Sequence, residues 1–163
     1  MSDTRWTHNG PGTLVNFIND NIGLGLEGKK FGNIAYADDF MGPMTVAPTL
    51  IQREQNRIEL AISIHRPTGK TTSQLTAEVN RAIASWKLTN LADVTELSHA
   101  IGEPFEQHTA PQIDTLLAVF SHYSGIANSR PIAIAGATNA RLFPNAVSFG
   151  PSMPNAQYTS HAE

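Results

Sequence analysis

The run 57–64 constrains this chain more than any other. Ile58, Leu60, Ile62 and Ile64 alternate with Arg57, Glu59, Ala61 and Ser63, and only an extended strand gathers such a period-two set onto one face. A helix would send the same four side chains to two opposite sides. An isolated strand leaves its backbone polar groups without partners, so a neighbour is required. The nearest is the run 44–53, joined through Glu54-Gln55-Asn56, and the pair predicts an antiparallel hairpin. Pro48 has no N–H to give to a ladder, which places its strand at an edge or puts a bulge at that point.

Helical spacing appears on both sides of the hairpin. Leu14, Val15, Phe17, Ile18 and Ile22 predict a short helix over 13–24 that stops at Gly23 or Gly25. Leu75, Val79, Ala82, Ile83 and Trp86 form one apolar stripe and predict a helix over 72–88, capped by Thr71 or Thr72. Ile113, Leu116, Leu117, Phe120 and Tyr123 predict a third over 111–125, opened by Pro111 and closed by Gly125. The glycine-rich stretch 25–43 reads as an irregular connection, and 93–101 as a weaker strand. Late in the chain, the apolar runs 131–135 and 146–149 read as strand, turn, strand. Such convergent strand ends, with a late histidine, commonly build an active-site rim in an α/β enzyme.

With one short strand supplied before His8, residues 13–101 run β-α-β-β-α-β. That order is the split pattern of a ferredoxin-like two-layer sandwich, an α+β fold. The later helix and strands fall outside it. The expectation is a ferredoxin-like domain over 1–105 followed by a partial α/β segment over 106–163.

A chain of 163 residues that is 40% apolar suffices for one domain or for one domain and part of another. Its net charge of -3, with no Lys/Arg-rich run, gives no footprint for nucleic acid or an anionic membrane. No cysteine is present, so a metal site would have to use His and carboxylates. The N-terminus has no apolar signal-like core and no later stretch is long enough to span a bilayer, so the expectation is a soluble, cytoplasmic protein.

Spacing alone yields no catalytic apparatus. In Arg66-Pro-Thr-Gly-Lys-Thr-Thr, the tail resembles a phosphate-binding loop, but the required first glycine falls on Ile64 and a polar helix-capping turn is the simpler reading. Asp38-Asp39 reads as a turn pair without the flanking acceptors a cation loop needs. His8, His65, His99, His108, His122 and His161 include no pair at the spacing that sets two imidazoles on one helical face. His-Glu-x-x-His and Gly-x-Ser-x-Gly motifs are both absent. His8 and His161 stand out because each lies in a turn-rich stretch beside an element end.

The tail carries a resemblance. Gly136-Ala137-Thr138, then Arg141, then Val147-Ser148-Phe149-Gly150-Pro151, then His161 resemble the late part of the zinc-dependent aminoacylase and dipeptidase family, which includes carnosinases, Xaa-His dipeptidases and carboxypeptidase G. The earlier part resembles that family's ferredoxin-like lid, with Thr7-His8-Asn9-Gly10-Pro11 at the place of its lid histidine. The resemblance implies a hydrolase, a metallopeptidase in which two zinc ions share a water that attacks the scissile amide of a small peptide or amino-acyl substrate. It implies a metal-ligand role for His161, oxyanion stabilisation by His8, and a substrate-carboxylate grip for Arg66. The family arginine stands two residues before the proline, a register that His65 holds here, so both positions stay open. Gly136 and Thr138 would line the substrate pocket, with Ala135 and Ala137 standing where the family has glycines. Arg141 would be a substrate or structural residue.

The family's remaining ligands, a His-x-Asp motif, a Glu-Glu pair and a further Asp, have no counterpart here. The resemblance therefore implies a piece of a dipeptidase, lid plus part of the catalytic segment, inactive by itself and unable to hold zinc stably. Lids of this family often form homodimers. The competing expectation is a non-catalytic oligomerisation or binding module that pairs edge strands with a second copy.

Overall fold

A computed structural model describes residues 10–55, 57–90, 98–107, 109–134, 138–150 and 153. The chain divides into two compact units, one comprising Met1–Pro104 with Ala133–Ala135 and the other Phe105–Ile132 with Gly136–Glu163. The described elements combine helices with small antiparallel sheets, a mixed α+β architecture.

In the first unit, helix α1 spans Gly10–Asn21. It starts earlier than the apolar spacing predicts because Pro11 is compatible with a first helical turn. It ends where expected: Gly23 takes φ 64 and its N–H reaches back to the Ile18 carbonyl at 2.8 Å, a left-handed termination natural to glycine. The hairpin consists of β3, Thr45–Glu54, and β4, Arg57–His65; β1, Ala37–Asp38, and β2, Gly42–Pro43, form a separate small pair before it. Glu54 opposes Arg57, and Gln55 at φ 50 suits the start of a two-residue turn.

The register shifts between Pro48 and Leu50, the bulge that Pro48 predicts. Its consequence is a change of face. Val46 opposes Ile64 and Pro48 opposes Ile62, whereas beyond the bulge Ile51 opposes Leu60 and Arg53 opposes Ile58. The extra residue thus passes the apolar face from even to odd positions of β3 while β4 keeps its uninterrupted alternation.

Helix α2, Thr72–Asn90, buries Leu75, Val79, Ile83 and Trp86, the predicted stripe. Thr71 caps it: its hydroxyl accepts from Gln74 N–H at 3.2 Å and Gln74 Oε1 accepts from Thr71 N–H at 2.8 Å, a reciprocal capping box. The core is formed by Leu75, Val79 and Ile83 with Val46, Phe31, Ile34 and Met44, flanked by Ile62 and Ile64. Each such side chain contributes about 1.5–3 kcal/mol of burial. Phe31 and Ile34 come from the stretch read as a loop, which is therefore core as well as connection. Gly28 lets it approach: φ is 69, and a Cβ there would lie 2.8 Å from Val46 Cγ2.

In the second unit, α3 spans Ile113–Ser124, closed by Gly125 at φ 73, and a short 3-10 helix spans Asn139–Leu142. The strands expected at 131–135 and 146–149 are corrected: residues 131–134 and 146–149 form no strand. Among the described residues no neighbouring strand offers them a ladder, and Ile132, Ile134 and Phe149 are exposed. Residues 98–101 likewise form no strand, and the rest of the expected 93–101 strand lies outside the described residues, as does the one before His8. No described helix is long and apolar enough to cross a membrane.

Candidate functional site

The first residue after β4 is Arg66, and its side chain is only 7% exposed. A buried guanidinium must spend its donors on acceptors. Nη1 donates to Thr72 Oγ1 at 2.9 Å and to the Gly102 carbonyl at 3.0 Å. Nη2 donates to the Lys70 carbonyl at 2.6 Å and to Glu103 Oε2 at 3.2 Å. The Nε–H is buried and has no partner. Thr72 in turn donates to Glu103 Oε1, so the Glu103 carboxylate is shared between a cation and a hydroxyl.

The arrangement follows from local structure. Thr72 opens α2 next to its cap, the 66–71 turn presents the Lys70 carbonyl, and the 98–104 segment crosses to supply Gly102 and Glu103. The guanidinium charge is thus met by one carboxylate, and four of its five N–H groups are committed within the chain. His65, in the alternative register, opposes Thr45 in the hairpin, and its Nε2 is also buried without a partner.

Lys70, the residue that suggested a phosphate loop, is committed elsewhere. Its Nζ donates to the Asn33 carbonyl and to Glu78 Oε2, both at 2.6 Å, and lies 5.0 Å from the centre of the Tyr36 ring. It clasps the core loop to α2. Asp38 is a turn residue, as expected, with Oδ1 accepting from Phe40 and Met41 N–H and Oδ2 from the Thr68 hydroxyl, each at 2.8 Å.

Thr138 and Arg141 share one turn of the second unit. Thr138 caps the 3-10 helix by accepting from Ala140 N–H at 3.2 Å, and Arg141 is exposed in its last turn. His8, Gly136 and His161 lie outside the described residues. Among the described residues no three His, Asp or Glu side chains come together to hold a metal ion, and His99 is engaged with Asn80 Oδ1 at 2.8 Å. The described donor set therefore does not fit a zinc pair. A cleft of about 320 Å³ lined by Ile22, Gly25, Leu26, Glu27, Lys29 and Lys30 involves none of these residues. Its lysines are engaged, Lys29 with Glu27 and Lys30 with the Asn19 carbonyl.

Sequence reasoning singled out Arg66 but not its surroundings. Glu103 stands 37 residues from Arg66, and nothing in Gly-Glu-Pro marks it as a partner.

A relative can be set beside this geometry. Over 137 residues the chain is 28% identical to a Beta-Ala-Xaa dipeptidase of Lactobacillus delbrueckii subsp. lactis. The match covers 83% of this chain and 27% of that protein, so the chain spans about a quarter of the length of its curated relative. The likeness supports a relationship to dipeptidases and nothing finer. No protein-family model matches the chain.

Proposed function

We propose that this chain is a piece of a metal-dependent dipeptidase or aminoacylase, a hydrolase of peptide or amide bonds in small amino-acyl substrates, and that it carries the substrate-carboxylate side of the site. The observation that carries the reading is the likeness to a β-alanyl dipeptidase over 83% of the chain. A dipeptide ends in a free carboxylate, and Arg66 offers a buried guanidinium with an unspent Nε–H to such a group. In this reading residues 1–105 are the ferredoxin-like lid, His8 donates to the oxyanion, and Gly136, Thr138 and Arg141 line the substrate pocket. His161 is one ligand of a zinc pair whose other ligands are not in this chain. The chain alone is inactive.

The test is hydrolysis of a β-alanyl dipeptide by the purified chain with added zinc. No turnover above buffer is expected. Turnover that His161→Ala leaves unchanged would overturn the reading.

A second reading has its own observation. Among the described residues the distal part of β3 pairs only with β4 and is exposed, including Leu50 and Ile51, and such an edge with apolar side chains favours pairing with another strand. A homodimer through the first unit follows. Sedimentation at high concentration tests it, and a strictly monomeric chain refutes it.

A further inference from the structure

The second unit has elements but no core. Among its described residues the only buried apolar side chain is Ala110, while Phe105, Val119, Tyr123, Leu142, Phe143 and Phe149 are exposed. Helix α3 buries none of its residues, whereas α2 of the same chain buries Leu75, Val79, Ile83 and Trp86. Ordering a residue costs about 1–2 kcal/mol, and apolar burial is the term that ordinarily offsets it. One alanine contributes little, and with no cysteine in the chain no disulfide makes up the difference. The hydrogen bond from Gln112 to the Asn145 carbonyl fixes local geometry, but a bond open to water contributes little net stability.

Two features show what would complete the unit. A helix that faces water carries charge on its outer side, yet between Ile113 and Ser124 the one acidic or basic residue besides His122 is Asp114. Val119 and Tyr123, four residues apart, share a face of α3 and stay exposed, Tyr123 at 83%. A helix apolar on its outer side as well as its inner one is a helix made to be covered. The run 146–149 adds a second demand, because among the described residues no strand lies beside it. A second copy would bring the same coreless unit. In the β-alanyl dipeptidase of Lactobacillus, by contrast, the matched stretch is 27% of the protein, so there it is joined to polypeptide with no counterpart in the match.

We propose that the second unit is a docking half-fold: the Val119 and Tyr123 face of α3 and the run 146–149 pack against an apolar layer with a free strand edge, supplied by polypeptide equivalent to the unmatched part of that dipeptidase. This rests on the reading of the chain as a piece of a dipeptidase. Thr138 and Arg141, placed at the substrate pocket in that reading, ride on this unit, so docking sets their positions.

The experiment measures amide hydrogen exchange by NMR in the full chain and in a chimera in which the chain replaces the matched stretch of the Lactobacillus dipeptidase. In the full chain, amides of 117–121 are expected to exchange at least about a hundredfold faster than those of 79–83, and in the chimera to slow by a similar factor. Val119→Lys with Tyr123→Lys should leave the urea midpoint of the full chain unchanged and abolish the slowing in the chimera. Equal protection of the two helices in the full chain overturns the half-fold and leaves the dipeptidase reading standing. Protection of 117–121 that rises with concentration of the full chain, together with a dimer in sedimentation, makes a second copy the occupant and overturns the proposed one. A chimera with 79–83 protected and 117–121 still fast, or one that the lysines do not alter, overturns the docking face. A chimera in which neither helix is protected overturns the dipeptidase reading and the docking with it.

Discussion

The indole N–H of Trp86 donates to Asp20 Oδ2 at 2.9 Å, joining α2 to α1 across 66 residues of sequence. Phe17 of α1 completes the junction, edge-on to both Trp86, at 5.1 Å between ring centres, and Phe31, at 5.9 Å. A buried indole brings both a large apolar area and a donor that must be paired. Trp86→Ala should therefore cost about 3–5 kcal/mol. Asp20→Ala, which leaves the ring but removes this acceptor, should cost about 1–3 kcal/mol. Urea denaturation of the two variants checks the order, which a larger loss in Asp20→Ala would reverse.

The capping box at the start of α2 makes a smaller claim. Thr71→Ala removes the acceptor for the Gln74 N–H and should destabilise the first unit by about 1 kcal/mol, whereas Thr71→Ser should be close to neutral. Chemical denaturation followed by helical circular dichroism measures both.

Two glycines of the first unit separate backbone strain from space. Gly42 has φ 75 with nothing within 4 Å of a built Cβ, while Gly28 has φ 69 with Val46 Cγ2 at 2.8 Å. Gly42→Ala should cost about 1–2 kcal/mol from the left-handed backbone alone. Gly28→Ala adds overpacking, typically about 1–3 kcal/mol, and should be clearly the worse of the two in the same unfolding measurement. Equal losses would mean that the 25–43 stretch yields freely at Gly28.

Lys70 offers a check on a misleading motif. Because its ammonium is spent on Asn33, Ile34 and Glu78, ATP with magnesium should leave the thermal midpoint of the chain unchanged. Lys70→Met should lower stability by about 1–3 kcal/mol through the acceptors left unpaired. A midpoint that rises with ATP would restore the phosphate-loop reading.

Local rules made much of the first unit legible. The alternation of 57–64 demanded a strand, Pro48 an edge position or a bulge, Thr71 or Thr72 a cap and Gly125 a helix end, because each is a constraint that a residue places on its own backbone. The apolar runs 131–134 and 146–149 show where such reasoning stops: a run is a strand only if another chain segment lies beside it, and no sequence pattern names that segment. Phe31 and Ile34 were hidden for a related reason. Their surroundings are glycine-rich and lack periodicity, so only the packed structure reveals that the stretch folds into the core.

Arg66 divides along the same line. Its type and its place beside a proline at a strand end could be read from the chain, as could the hairpin and the helix that bracket it; a carboxylate-binding role came only from the family resemblance, which left His65 as the other register. That its fork is four-fifths spent on Thr72, Gly102, Lys70 and Glu103, leaving Nε alone, was decided only by tertiary structure. The reason is physical: conformational preference is set by neighbours in sequence, whereas the partners of a buried charge are whatever acceptors the folded chain brings within about 3 Å of it.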